Sequence, residues 1–229
     1  YGKTYTFDSM KQVLNKASEN KSGDVLAGIA ADSRLESIAA KVILSDCTVH
    51  DLREAPSVPY EEDSITRIIQ DDLDLHIYEK VKNWSLAELR EWILSDKTSG
   101  EMIREISGGL TSEVISAVSK LMGNLDLIYA GNKMEITAVC NTVIGKRGTL
   151  SSRLQPNHPA DDPKGVMASA LEGLSYGVGD AVIGMNPAID TIESTTRIWD
   201  VLNELKNRYE IPTQTCVLSH VKTQMEALR

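Results

Sequence analysis

No run of basic residues interrupts this sequence, and its formal net charge is −9. That balance argues against a general nucleic-acid or anionic-membrane surface, since both need clustered Lys and Arg. No apolar stretch approaches the ~20 residues of a membrane-spanning helix, and no signal-peptide pattern opens the chain. Cysteine is scarce. Cys47, Cys140 and Cys216 are odd in number, far apart and without paired spacing, which fits reduced thiols in a cytoplasmic compartment better than a disulfide framework. There is no P-loop, internal repeat or low-complexity segment. Gly177 and Gly179 precede a strand pattern instead of joining strand to helix, which argues against a dinucleotide fingerprint. What is present is a chain of 229 residues with ordinary globular composition, enough for one large domain or a smaller domain plus part of another. It opens on Tyr1 and stops at Arg229 within a helical pattern that has no terminator, so a piece of a longer chain is expected.

The first half reads as helices. Met10, Val13, Leu14 and Ala17 fall at helical spacing after a possible short strand at Tyr5-Thr6-Phe7. A second apolar helix is expected through Val25 to Ile29. Ser33 and Glu36 form a capping-box pattern ahead of Ile38, Ala39, Val42 and Ile43. After the loop Ala55 to Pro59, Asp63 or Ser64 can cap a helix whose apolar face uses Ile65, Ile68, Ile69 and Leu73. Trp84-Ser85-Leu86-Ala87-Glu88-Leu89 combines a capping box with a hydrophobic staple. Thr98 and Glu101 repeat the box, Gly108-Gly109 ends that helix, and Thr111 or Ser112 begins the one carrying Val114, Val118 and Leu121.

Past Gly123 the texture changes. Short apolar runs at Asp126–Ala130, Thr142–Gly145, Leu150–Asn157, Asp180–Pro187 and Thr215–Ser219 read as strands. Helical spacing separates the last three, at Val166 to Leu174 and Ile198 to Leu205. Strands alternating with helices mean a parallel sheet, as a barrel or an open doubly wound sheet. The expected division is 1–123, mainly helical, and 124–229, α/β.

Side chains alternate across a strand, so Arg153, Gln155 and, if the chain stays extended, Asn157 share one face while Leu154 faces the other. Arg and Gln carry several donors each, which need acceptors if buried. That face therefore meets water or a ligand rich in acceptors. On the next strand Val182, Gly184 and Asn186 share a face, with a gap at Gly184 below Asn186, and Pro187 stops the ladder. Ligands of parallel α/β folds sit at carboxyl strand ends, where Arg153, Gln155 and Asn186 all fall. The competing account is that Arg153 pairs with a structural carboxylate and Asn186 caps a turn. No clear carboxylate joins these residues at a strand end, although a cationic substrate and most proton transfers need one.

Other clusters have simpler explanations. Asp74, His76 and Glu79 approach a histidine motif of some cobalamin proteins, but the segment reads as a solvated helix. Cys47 and His50 lack a second metal half-site. His158, Asp161 and Asp162 read as a capping loop. Cys216 and His220 stand too far apart on one strand to act as nucleophile and base.

At these residues the sequence resembles the large subunit of ethanolamine ammonia-lyase, over essentially the whole chain and as the amino-terminal half of that subunit. Carrying the likeness are Ser22 to Gly28, Tyr60 to Asp63, Asn83 to Ser85, Gly109 to Val114, Arg153 to Asn157, Gly173 to Gly184 and Ile211 to Leu218. The resemblance implies a helical amino-terminal region followed by the first half of a (β/α)8 TIM barrel. It implies an adenosylcobalamin-dependent carbon–nitrogen lyase that converts ethanolamine to acetaldehyde and ammonia by a radical mechanism. Homolysis of the cobalt–carbon bond supplies a radical that takes a hydrogen from the carbon bearing the hydroxyl, and the amino group migrates and leaves. By the same implication Arg153 binds and polarises the substrate hydroxyl, Gln155 binds the amino group, Asn186 the hydroxyl, and Pro187 contacts the corrin. The family's benzimidazole occupies cobalt, so no protein residue is expected as metal ligand. Its acidic substrate-binding residues lie past residue 229.

Expected partners are the small subunit, with the cobalamin between the two, and further large subunits. A bacterial microcompartment is the family's expected location. Two other readings stand beside this one: a non-catalytic assembly or scaffold fragment, and an unrelated barrel lyase or aldolase. The second lacks a Lys at any proposed strand end for a Schiff base.

Overall fold

A computed structural model describes residues 2–229. The chain forms two compact units, Tyr1–Met134 and Glu135–Arg229.

The amino-terminal unit is helical. In order come α1 (Met10–Lys16), α2 (Ser22–Leu26), α3 (Arg34–Asp46), α4 (Val49–Glu54) and α5 (Ser64–Asp71). Then follow α6 (Leu75–Val81), α7 (Leu86–Leu94), α8 (Gly100–Ser107), α9 (Ser112–Lys120) and α10 (Asn124–Lys133). Helices this short are marginal alone, so caps and packing decide them. The side chains of Ser9, Ser33, Thr48, Asp63, Asp74, Ser85, Ser99 and Thr111 each accept a backbone N–H of the following first turn, a contribution of about 1 kcal/mol per cap. Leu44, Leu52, Leu86, Leu89 and Val114 are fully buried in one core, each a gain of about 1.5–3 kcal/mol relative to exposure.

Several details differ from the sequence reading. Tyr5 to Phe7 is irregular backbone, with Phe7 packed against the core. The second helix ends at Leu26, and Gly28 takes φ 70° just beyond. The third capping position is Ser99, one residue past Thr98, which is itself buried. Asp126 to Ala130 is part of α10 and not a strand; the Asp126 carboxylate accepts from the Gly123 N–H and pairs with Arg90 at 2.7 Å, which fixes a helical first turn. This puts the boundary between the units after Met134. The stripe expected on α5 divides: Leu73, just past the helix, is buried in the core and Ile69 is half-buried, whereas Ile65 and Ile68 are 62% and 56% exposed. Thr66 is buried on that helix, its Oγ1 donating to the Val58 carbonyl, and the exposed Arg67 donates to the carbonyls of Tyr60 and Glu61.

The carboxy-terminal unit runs β1 (Ala138–Val139), β2 (Val143–Ile144), β3 (Arg153–Leu154), α11 (Pro163–Ser175), β4 (Val182–Met185), α12 (Ile192–Arg208), β5 (Thr215–Val217) and α13 (Val221–Ala227). The expected strand at Thr142–Gly145 is present as β2, but it pairs antiparallel with β1, outside the parallel sheet. β3, β4 and β5 form that sheet in sequential order. Its two crossovers are α11 and α12. Ile183, Met185 and Val217 on one face pack with Val166 of α11 and Ile198 and Leu202 of α12. Both helices thus cover the same face. The fold is mixed α/β, mostly helical, and the other face of the parallel sheet carries the polar residues singled out above.

Candidate functional site

The register decides which side chains are neighbours. Arg153 stands opposite Val182 and Leu154 opposite Ile183, while Gly184 stands opposite Cys216. Leu154 and Ile183 belong to the helix-covered core. Alternation therefore sends Arg153, Gly184 and Cys216 to the open face. The guanidinium confirms this directly, since its Nη2 and the Cys216 Sγ both lie against the bare Cα of Gly184. Gln155 follows β3 immediately, and Asn186 and Pro187 follow β4. These positions are the carboxyl ends of two adjacent parallel strands. Arg153, Gln155 and Asn186 are exposed and Pro187 is half-buried.

Among the described residues no carboxylate lies within ion-pair distance of Arg153. The side chains of Arg153, Gln155 and Asn186 make no hydrogen bond within the described chain either. Their donors and acceptors are free for a ligand. The nearby acidic groups are committed elsewhere, and this is what the sequence did not disclose. Asn157 leaves the strand alternation, because its Oδ1 accepts from the Asn186 N–H at 3.0 Å and ties the loop after β3 to the end of β4. Asp161, fully buried with φ 50°, accepts from the amides of Ala188 and Ile189 at 2.8 and 2.9 Å and from the Ser194 hydroxyl at 2.8 Å. Burial alone acts to raise the Asp161 carboxyl, but these bonds and the Arg197 charge outweigh it and hold it below the ordinary carboxylate range. Asp190 accepts the His220 N–H at 2.9 Å, linking the loops after β4 and β5.

The loop after β3 therefore gives two side-chain acceptors, Asn157 and Asp161, to the backbone after β4, and the loop after β4 gives one, Asp190, to the backbone after β5. Pro187 is fixed in this way: the amide after it is held by Asp161. The only sequence signal for these clamps was an excess of Asn and Asp in the loops, which does not say whether such a residue caps, clamps or binds.

The remaining candidates resolve as fold elements. Asp74 caps α6 through the amides of His76 and Ile77. His50 Nδ1 lies 2.7 Å from the Tyr78 hydroxyl, and the Cys47 thiol, pushed up by burial and then by Asp51 and Asp46, contacts the Ile43 carbonyl. Asp162 caps α11, with the His158 Nδ1 accepting nearby amides. His220 is the N-cap of α13 and leaves Cys216 without a base on its strand. No group of three His, Cys, Asp or Glu residues arranged to hold a metal occurs among the described residues, and no described helix is long and apolar enough to cross a membrane.

Comparison with known proteins bears on what this end of the sheet serves. A family model described as "Ethanolamine ammonia lyase large subunit (EutB)" matches residues 5–229. The chain is 52% identical over 229 residues to the ethanolamine ammonia-lyase large subunit of Salmonella typhimurium (strain LT2), and 51% identical to that of Escherichia coli (strain K12). All of this chain aligns with 51% of each relative, so it spans about half the length of the relatives it matches. A match of this extent settles the family: the chain belongs to the ethanolamine ammonia-lyase large subunits.

Proposed function

We propose that this chain supplies one wall of the substrate site of an adenosylcobalamin-dependent lyase that converts ethanolamine to acetaldehyde and ammonia. The observation that carries the reading is the set of side chains without a partner among the described residues, Arg153, Gln155 and Asn186, at the carboxyl ends of β3 and β4. Ethanolamine offers a hydroxyl and an amine two carbons apart. Arg153 donates to the hydroxyl oxygen, and its permanent charge stabilises negative charge that builds there as the carbon–nitrogen bond breaks. Asn186 takes the second hydrogen bond of that hydroxyl. Gln155, neutral and with a carbonyl oxygen, accepts from the amine. Acidic partners for a protonated amine come, in this reading, from the part of the subunit past residue 229. The sequential order of β3, β4 and β5, with both crossover helices on one face, supports a (β/α)8 barrel over a doubly wound sheet, whose helices cover both faces.

The residues present fit the cofactor. Pro187 has no N–H, sits beside the Asn186 amide and leads into exposed Ala188 and Ile189, whose backbone Asp161 holds still. Such an edge, apolar beside a single amide, suits the face and amide-bearing rim of a corrin. When bound, adenosylcobalamin supplies the radical that removes hydrogen from the substrate. The chain's own residues would bind, orient and polarise ethanolamine. The small subunit is the proposed partner across the cofactor. The apolar residues left exposed on α3 and α5, among them Ile38, Val42, Ile65 and Ile68, favour homo-association of large subunits, and a bacterial microcompartment is the proposed location.

The test is product formation by the full-length subunit with its small partner. Acetaldehyde and ammonia should appear only when ethanolamine and adenosylcobalamin are both present. A folded, cofactor-loaded complex that forms neither product overturns the assignment.

A further inference from the structure

We propose that Gly184 is a positioning residue for Arg153: a missing side chain at this one point of β4 lets the guanidinium lie across the strand, nearer the carboxyl ends than the Arg153 backbone. The inference rests on the reading of Arg153 as the hydroxyl-binding group and assigns the feature that fixes where its charge is delivered.

Arg153 is paired in register with Val182, so Gly184 is its diagonal neighbour two residues further along β4. Long side chains reach such diagonal positions. A Cβ built on Gly184 would stand 2.9 Å from Arg153 Nη2, 3.2 Å from Cζ and 2.4 Å from Cys216 Sγ. The guanidinium and the thiol therefore share the space that any other residue would fill. Gly184 is not among the residues with positive φ. Its backbone is one that alanine adopts freely, so glycine serves here for room and not for conformation. The strand itself cannot yield. Gly184 is buried between Ile183 and Met185, both fully buried in the core beneath, and it is laddered to β5. Arg153 is exposed and, among the described residues, makes no hydrogen bond or ion pair that would hold it. The side chain that moves when the space is filled is therefore Arg153, and its charge moves away from the hydroxyl it is to meet.

The experiment uses the full-length subunit with its small partner and takes Cys216→Ala as the reference chain. That background removes the tightest contact, so the nearest atoms left to an added Cβ at 184 are those of the guanidinium. Adding Gly184→Ala should lower kcat/KM for ethanolamine about 10- to 100-fold, the scale of a displacement near 1 Å in a reacting assembly. In a chain that also carries Arg153→Ala, the same Gly184→Ala change should cost nothing further. Losses that multiply in the two backgrounds overturn the proposal, because the glycine would then act through the sheet and not through Arg153. A crystal structure of the Gly184→Ala, Cys216→Ala chain gives a second readout. The guanidinium should have left residue 184; one that stays in place also overturns it. Should the unmutated complex not turn over ethanolamine, the functional reading fails by itself, and the crystallographic position still decides the seat.

Discussion

At the amino-terminal ends of β3, β4 and β5 the polar side chains find one another, whereas at the carboxyl ends those on the open face do not. Below the sheet, the Ser152 amide and hydroxyl donate to Asp180 at 2.8 and 2.6 Å, and Thr213 donates to the Gly179 carbonyl at 2.6 Å. Gln214 accepts from the amides of Asn141 and Thr142 and donates to the Thr142 hydroxyl, which docks the β1–β2 turn against the strand starts. Above the sheet, Asn157, Asp161 and Asp190 bind backbone between loops, but Arg153, Gln155 and Asn186 bind nothing in the described chain. One end is closed by its own hydrogen bonds. The other has its loops fixed and the proposed recognition groups left over. Those three side chains are exposed, so water satisfies them in the chain alone and they stay available for the ligand proposed above, whereas the polar groups of the other end are already spent on the fold.

The largest effect should come from the unsatisfied end. Arg153→Ala in the full-length complex should lower turnover of ethanolamine about 100- to 1,000-fold. The thermal midpoint should stay put, since the side chain makes no hydrogen bond or ion pair among the described residues. Steady-state acetaldehyde formation and circular dichroism melting test the two halves of this statement, and an Arg153→Ala chain with normal kinetics would remove the functional half of the comparison. Next in size is the clamp. Asp161→Ala deletes a buried acceptor of three hydrogen bonds and leaves two amides unpaired, a cost of about 3 kcal/mol or more. Urea unfolding reads it directly; a loss below about 1 kcal/mol would show that the loops are held by something else.

Much of this was legible because it is local. Helix starts at Ser33, Asp63, Ser85 and Thr111 follow from hydrogen bonds three residues long, and Arg153, Gly184 and Leu154 sort to the expected faces because strand alternation is geometric. What escaped required knowing distant partners. Leu127-Ile128-Tyr129 reads equally as strand or helix, and the helix wins through the Asp126 bonds to Gly123 and to Arg90, the latter 36 residues away. The stripe on α5 has the right period but only its far end reaches the core: Leu73 is buried, while Thr66 and not Ile65 or Ile68 is the buried residue of the helix itself. Thr142 to Gly145 announces a strand without saying that its partner is β1. At the proposed site, the donors stand out in the sequence by their chemistry. Asn157 was misplaced because the chain turns after Gln155, where the Asn157 N–H bonds the Gln155 carbonyl.

Smaller effects should follow from the neutral residues of the open end. Gln155→Ala and Asn186→Ala should each raise KM for ethanolamine about tenfold, the value of roughly one hydrogen bond. Stability should change by no more than about 0.5 kcal/mol. A stability loss comparable with that of Asp161→Ala would mean that these side chains hold the fold after all, and the contrast between the ends would collapse.

The smallest effect lies in acid, and it belongs to the satisfied groups. Asp161 and Asp180 are both held below the ordinary carboxylate range, Asp180 by the hydroxyl and then the amide of Ser152. A folded value below the unfolded one means that the stabilisation is complete above the unfolded value, near pH 3.9, and drains away as pH falls through the folded value. Above about pH 5 these carboxylates should therefore leave stability independent of pH. Asp161→Asn should be less stable there, and its stability should fall less steeply than that of the parent below pH 4. Arg153→Ala should keep the parent's slope, because no carboxylate pairs with Arg153 within the described chain. Urea midpoints measured between pH 3 and 6 give both slopes. A changed acid limb in Arg153→Ala would reveal a carboxylate partner for Arg153 and turn the open end of the sheet into another satisfied one.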